Sequence, residues 1–391
     1  MDINTNETTL PLNKETTRIT HSNISAVVGL MHCLIMGMVF QSSTTLVEDS
    51  FIRNAALCLF TAAVFGNLLA TLIKLECTAS FILIDSIFST VTAARIYFNS
   101  KMTLLLVVLL FTPYGVAIGY MMNIVPVYIL QTASDKYRVL LLNSIGGLGI
   151  VGGFILFRNA QDLISLTTAF GLILGTSLLF GLFMGLAGKR VRLNTGRKFD
   201  LRNLTDIFSN GPNSAAIIIL AMVSNNYAGI NYIVFNSTTI FKDSNALLVF
   251  NLVNFFAQFV TYLGYLCTFK FGRKQLMLFS SAACLVGNLA FLLSDIRYHR
   301  YISFFFILSY NLGLGNIPFV LTCEVFPPHV LQEGSMIGSS ANFLGGLLFS
   351  LTFSSTGKTG FIVSMVYLAL SGLYFAVFMK ETKGQKEGKY Q

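Results

Sequence analysis

Three asparagines, Asn225, Asn226 and Asn231, lie close together in the stretch 214–234, which is otherwise almost entirely apolar. A carboxamide both donates and accepts hydrogen bonds and carries no charge. Leaving such a group without a partner in hydrocarbon is costly. We therefore expect these side chains to face the interior of a helix bundle or a water-filled cavity, where they could bind a neutral polar ligand.

Asn254 and Asn342 are two further amides in apolar runs, and they fit the same role. An alternative remains open for all five asparagines. Amides also hold membrane helices together through hydrogen bonds between helices. Position alone does not separate the two roles.

The composition indicates what kind of secondary-structure element carries these amides. Of the 391 residues, 54% are hydrophobic and 11% are charged, whereas soluble domains average about 25% charged residues. The mean hydropathy is +0.69. We therefore predict an all-α polytopic membrane protein in contact with the lipid bilayer. The net charge of +9 does not indicate nucleic-acid binding, because the basic residues cluster in short loops between apolar runs.

Apolar runs of the length needed to cross a bilayer, about 20 residues each, predict twelve transmembrane helices. We place them at 24–45, 54–74, 79–98, 104–124, 139–157, 164–187, 214–234, 246–268, 276–294, 302–322, 335–355 and 359–379. Eighteen of the 26 Lys and Arg residues fall on the side that holds both tails, which predicts cytoplasmic termini.

The longest interruption divides the chain into two six-helix halves, the layout of the major facilitator fold. The predicted segments are a cytoplasmic tail 1–22, a first half 23–187, a basic cytoplasmic linker 188–213, a second half 214–379 and a C-terminal tail 380–391. Glycines between 146 and 153 predict close packing of the fifth span on its neighbours.

Arrangements typical of enzymes are missing from the sequence. No Cys/His or Ser/His/Asp grouping stands on adjacent helix ends, and no Walker-type phosphate loop follows a strand. The six cysteines have neither metal-type nor disulfide-type spacing, so we interpret them as packed thiols. We expect no enzymatic activity, no cofactor and no metal.

Five segments in both halves carry a resemblance to a known family. They are Pro126-Val127-Tyr128-Ile129 with Arg138, Asn225 to Asn231, Gly272-Arg273-Lys274, Glu324-Val325-Phe326-Pro327 and Glu381-Thr382-Lys383-Gly384. In this order, each at the end of a span or within one, they resemble the sugar porter family of the major facilitator superfamily. The likeness is strongest to arthropod facilitated trehalose and glucose transporters, of which this chain looks like a divergent and shortened member.

The resemblance implies a transporter of a neutral sugar, trehalose or a hexose, that works by alternating access. It places Asn225, Asn226, Asn231, Asn254 and Asn342 at the sugar, together with Phe319, which stands where the family usually carries a Trp. It further implies a protein of the plasma membrane, which we expect to be a monomer. The alternative is a non-transporting relative that acts as a membrane sensor or binds a partner.

The family also has a cytoplasmic charge network that locks the two halves in the outward-open state. Arg138, Arg273, Lys274 and Glu324 match it, whereas the charges expected at Gln131 and Leu331 are lost. We hypothesise a weakened outward-open state. In the alternative, Glu324 pairs with Arg138 or Arg273 and the lock survives.

Ionisable residues inside the predicted spans are few. Asp85 is the only acid well inside a span, and His32 is the only comparable histidine. Proton-coupled relatives usually carry a carboxylate in the first span, and 24–45 contains none. We therefore favour facilitated diffusion over proton symport, with Asp85 paired with Arg95 or bonded to another polar group.

Overall fold

The computed structural model describes most of the chain as a bundle of α-helices. The described residues are 12–42, 49–73, 75–98, 103–158, 160–161, 164–187, 201–236, 240–241, 270–327, 329–356 and 358–382, with single residues at 256, 260, 263, 266 and 267. Within them, nine helical stretches are long and apolar enough to cross a membrane.

The first half contains six helices. They are α1 (Leu12–Ser42), α2 (Asp49–Leu72), α3 (Cys77–Tyr97), α4 (Leu104–Thr132), α5 (Asp135–Ile150), which continues as a π-helical segment (Val151–Arg158), and α6 (Leu166–Ala187). Every predicted span of this half coincides with one of them.

Helix α7 (Leu201–Asn210) precedes the second half. The described helices of the second half are α8 (Pro212–Tyr227), α9 (Ile230–Phe235), α10 (Arg273–Leu293), α11 (Ile296–Leu312), α12 (Ile317–Glu324), α13 (Leu331–Thr356) and α14 (Lys358–Phe378). Two predicted spans are each built from two helices: α8 with α9, and α11 with α12. The predicted eighth span, 246–268, lies almost wholly outside the described residues, and so does Asn254.

The three largest differences from the predicted segments concern α1, α7 and α4. Helix α1 begins at Leu12, inside the predicted tail, because a helix continues past the apolar run that hydropathy detects. Helix α7 lies inside the predicted linker. Helix α4 extends to Thr132 and contains Pro126, which we had placed after the span; the ring at this position is accommodated within the helix.

Glycine allows two helix pairs of the first half to approach closely. A Cβ atom on Gly119 of α4 would lie 1.8 Å from the carbonyl oxygen of Ala63 on α2, and one on Gly152 would lie 2.0 Å from that of Leu34 on α1. Backbone therefore packs directly on backbone at both places. The predicted close packing of the fifth span is confirmed.

Candidate functional site

A cavity of about 180 Å³ lies between the two halves. Helices α1, α2, α4 and α5 of the first half and α8, α9, α11, α12 and α13 of the second half form its walls. Its described lining holds no Asp, Glu, Lys, Arg or His. Such a wall suits a neutral ligand, because a charged one would lose its hydration without gaining a counter-charge.

The structure brings five of the predicted ligand residues to this cavity. They are Asn225, Asn226, Asn231, Phe319 and Asn342. The sixth, Asn254, lies outside the described residues. Phe319 is 7% exposed and packs near Gly146 of α5, so its ring joins the two halves at the cavity wall.

A break in the seventh span places the asparagines. Helix α8 ends at Tyr227 and α9 begins at Ile230, and Gly229 between them has φ of +112°, a conformation that glycine adopts without strain. The Ala228 carbonyl, which has left the helical hydrogen-bond pattern, accepts a hydrogen bond of 2.6 Å from Asn288 Nδ2. The break is thus stabilised, and it turns Asn231 toward Asn226.

Three of the amides form a connected series of hydrogen bonds. Asn231 Nδ2 donates to Asn226 Oδ1 at 3.0 Å, and Asn226 Nδ2 donates to Asn342 Oδ1 and to the Asn342 carbonyl, both at 2.8 Å. We call this series the amide relay. Among the described residues, no hydrogen bond is seen for Asn231 Oδ1 or for Asn342 Nδ2. The relay therefore has a free acceptor at one end and a free donor at the other, beside the cavity.

Asn225 has a different bonding pattern. Its Nδ2 donates to the carbonyl of Leu314 at 2.8 Å and to that of Gly315 at 3.4 Å. These carbonyls lie in the break between α11 and α12, where backbone groups lack helical partners. Asn225 therefore holds helices together through hydrogen bonds, the alternative role considered for the asparagines, whatever else it contacts in the cavity.

Sequence reasoning missed three polar residues of the cavity, Gln41, Tyr310 and Asn311. Gln41 lies on α1 and supplies an amide from the first half, and it is 1% exposed. Gln41 and Asn311 carry the signal that identified the seventh span, an amide within or at the end of an apolar run. Applying that rule to every span would have found both.

The predicted charge network is organised around Glu324. Arg273 Nη2 donates to Glu324 Oε1 at 2.7 Å, and Thr382 Oγ1 donates to Glu324 Oε2 at 2.7 Å. Of the two partners considered for Glu324, the structure shows Arg273, and this ion pair lies within the second half. Lys274 Nζ donates to the Ala376 carbonyl at 2.8 Å. Arg138 is half-buried on α5.

Glu381 caps the N-terminus of α10. Its two carboxylate oxygens accept hydrogen bonds from the backbone N–H groups of Arg273 and Lys274, at 2.8 Å and 3.1 Å. A carboxylate at this position satisfies free N–H groups and matches the helix dipole. The C-terminal segment is thereby fixed to the same cluster as Glu324.

Buried amides connect the two halves beside the cavity. Asn67 Nδ2 on α2 donates to the carbonyl of Met336 and to Ser340 Oγ on α13, both at 2.7 Å, and Asn123 Nδ2 on α4 donates to Asn67 Oδ1 at 2.9 Å. Asn67 and Asn123 are both fully buried. We call this group the inter-half amide cluster.

Replacing Asn67 by alanine is expected to loosen this contact between the halves. Two buried hydrogen bonds of about 1 kcal/mol each are lost, so the arrangement in which α2 contacts α13 should become about thirtyfold less populated. The measurement is cross-linking between cysteines introduced at Met122 and Ser339, where Ser339 Oγ lies 3.3 Å from the Met122 carbonyl. The matched control is Thr71→Ala, which removes a bond within α2 alone. Equal cross-linking yields in both variants would contradict the prediction.

The comparisons with known proteins agree with this geometry. A solved structure of the proton:xylose symporter XylE of the major facilitator superfamily superimposes with a TM-score of 0.74 at 15% identity, over 95% of this chain and 98% of that one. The nucleoside transporter NupG gives 0.64 at 13% identity, over 93% and 100%. The protein is thus a multi-pass membrane protein with the twelve-helix major facilitator fold, as predicted.

The profile of the family described as "Sugar (and other) transporter" matches residues 194–391, half of the chain. The chain belongs to the sugar transporter family, which confirms the resemblance seen in the sequence; its members are transporters and not enzymes.

Curated relatives are similar over part of their length. "Solute carrier family 2, facilitated glucose transporter member 2" of Gallus gallus is 28% identical over 206 residues, 47% of this chain and 38% of that protein. A "Facilitated trehalose transporter Tret1-2 homolog" of Drosophila sechellia is 25% identical over 183 residues, 41% and 37% respectively. The matched stretch spans less than two fifths of each of these relatives.

Proposed function

We propose that the protein moves a neutral sugar, a hexose or trehalose, across the membrane by facilitated diffusion. The observation that carries the proposal is the amide relay, whose free donor and free acceptor face a cavity between two halves. Sugar hydroxyls both donate and accept, so one hydroxyl can bond Asn342 Nδ2 while another bonds Asn231 Oδ1. The uncharged lining and the names of the relatives, which transport glucose or trehalose, support the same class of substrate.

In this proposal the two halves alternate around the cavity. The inter-half amide cluster would hold one end closed, and the cluster of Arg273, Lys274 and Glu324 would keep the second half rigid on the cytoplasmic side, with Arg138 opposite it on the first half. Asn225, Asn226, Asn231, Asn342 and Phe319 would contact the sugar, and Asn254 is assigned the same role from its resemblance alone. Both termini would lie in the cytoplasm of a monomer in the plasma membrane.

The test is counterflow in liposomes that contain only the purified protein. Liposomes are loaded with unlabelled glucose or trehalose, and entry of the labelled sugar is followed without any ion gradient. A facilitator gives a transient overshoot of labelled sugar inside the liposomes. Each unlabelled molecule that is carried out leaves the binding site facing outward, where it binds labelled sugar. Protein-free liposomes are the control.

Equilibrium binding measured on the same preparation separates the alternatives. Binding with counterflow supports transport of that sugar. Binding without counterflow would favour the non-transporting sensor, for which the lost charges at Gln131 and Leu331 are the specific observation. The absence of both, from folded protein, would contradict a glucose or trehalose site.

A further inference from the structure

A buried histidine and a buried aspartate form a pair between α1 and α3, away from the sugar cavity. His32 Nε2 lies 3.0 Å from Asp85 Oδ2, and His32 Nδ1 lies 2.9 Å from the Val28 carbonyl oxygen. The exposed fractions of the two side chains are 0% and 4%. Of the partners considered for Asp85, the structure shows a polar contact rather than Arg95, whose guanidinium lies over the ring of Phe170.

The hydrogen-bond geometry fixes how many protons this pair holds. A carbonyl oxygen has no proton to give, so His32 Nδ1 must carry the hydrogen in its bond to Val28. The contact between Nε2 and Oδ2 then needs one more proton. It is either an N–H donating to a carboxylate or an O–H donating to a neutral imidazole. Both forms contain the same proton and have no net charge.

Removing that proton leaves an unfavourable arrangement. The Nε2 lone pair would face a carboxylate oxygen at 3.0 Å, and the pair would have a net charge of −1. The rings of Phe81 and Phe180 lie 4.5 Å and 5.6 Å from the imidazole. Asp85 Oδ1 has no hydrogen-bond partner among the described residues. Nothing in these immediate surroundings would compensate the charge.

The other ionisable groups on the neighbouring helices do not replace the proton. On α1 the nearest is Cys33, which is buried. Helix α4 contributes Tyr114, Tyr120 and Tyr128, whose hydroxyls bond to Thr92 Oγ1, Ser80 Oγ and Ser25 Oγ respectively. Helix α6 carries no ionisable side chain, and α5 with its π-helical segment carries them only at its two ends, in 135–138 and at 158. On α3, Arg95 is ten residues further along, about 15 Å by helical rise.

The pair connects the cavity wall to a helix behind it. Met36 lines the cavity one turn beyond His32 on α1, followed by Gly37, Phe40 and Gln41. Helix α3 contributes no residue to the described lining. A change in the contact between α1 and α3 would therefore move one wall of the cavity.

We propose that the His32–Asp85 pair is a proton-binding site and that its proton favours the arrangement of α1 against α3 seen here. On deprotonation the proton leaves the Nε2–Oδ2 hydrogen bond for water, and the contact between the two helices weakens. The stabilisation is present while the proton is bound and is lost when alkaline pH removes that proton. Conformational exchange thereby depends on pH without any charged group in the described lining of the cavity.

Infrared difference spectroscopy of the purified protein between mildly acidic and alkaline pH tests proton binding directly, and it needs no transport. We expect a titrating band, either the C=O stretch of a protonated carboxyl group or an imidazolium band, that shifts in D₂O. It should disappear in Asp85→Asn, in which an amide N–H can still donate to His32 Nε2, and in His32→Gln. The control Asp295→Asn, at an exposed acid, should leave it unchanged.

The second readout is the thermal unfolding midpoint of the same samples as a function of pH. The wild type and Asp295→Asn should become less stable toward alkaline pH, whereas Asp85→Asn should keep the same midpoint throughout. If counterflow is observed, its rate in the wild type should change about tenfold over this range and stay constant in Asp85→Asn. A wild type without the titrating band, or with a pH profile equal to that of Asp85→Asn, would overturn the proposal and leave the sugar site unaffected.

Discussion

Replacing Asn226 by alanine is expected to reduce sugar affinity and uptake by about thirtyfold. Asn226 is the middle member of the amide relay, accepting from Asn231 and donating to Asn342. Without Asn226, both Asn231 and Asn342 lose a hydrogen-bond partner, and their amides then bond to water and not to the sugar. An amide left unsatisfied in this way costs about 2 kcal/mol, which corresponds to the stated factor in affinity.

The measurement is equilibrium sugar binding together with initial uptake rates, normalised to folded protein. The matched control is Ser371→Ala. Ser371 is also a buried polar residue of the second half, and its Oγ accepts a hydrogen bond from Ser224 Oγ of α8 at 3.0 Å, but it does not line the cavity. It should lower thermal stability more than sugar affinity. Equal losses of affinity in the two variants would indicate that Asn226 acts only by holding helices together.

Replacing Gly119 by leucine is expected to prevent correct folding of the first half. A Cβ atom there would overlap the Ala63 carbonyl, and the displaced atom is backbone, which cannot rotate away. Separating α2 from α4 would also disturb the inter-half amide cluster, since Asn67 and Asn123 lie on these helices. We expect the free energy of unfolding to fall by about 3 kcal/mol or more. The measurements are loss of the monodisperse species in detergent and a lower thermal unfolding midpoint.

The control for this change is Gly175→Leu on α6. Nothing lies within 4 Å of a Cβ atom at Gly175, so a leucine there should extend into lipid at little cost. Both variants replace a glycine by leucine, so a difference between them reports the close approach of α2 and α4 and not the general effect of losing a glycine. A folded, stable Gly119→Leu variant would show that the approach of α2 and α4 is not required.

Several features of the site followed from local sequence. The asparagines of the seventh span were identified because polar amides in an apolar run need a partner, and the structure indeed brings three of them to one cavity. The family resemblance added Phe319 and the charged residues near Glu324. The same local rule would have found Gln41 and Asn311, so their omission reflects incomplete application of the rule and not a lack of signal.

Other features could not be read from the sequence. The bond between His32 and Asp85 joins residues 53 positions apart, and that between Asn67 and Ser340 joins residues 273 apart. Hydropathy and helical periodicity are properties of a short window, so they cannot specify such pairs. Arg95, the partner considered for Asp85 on its own helix, lies over the ring of Phe170 instead.

The sequence by itself determined the class of protein, the positions of nearly all its spans and the amides available for binding, because burial in lipid requires long apolar segments and penalises each polar group within them. Only the tertiary structure decided where the seventh and tenth spans break, which amide bonds to which, and that His32 and Asp85 meet behind the cavity wall. These depend on how two six-helix halves pack, and packing is settled by contacts between distant segments that meet only in the folded bundle.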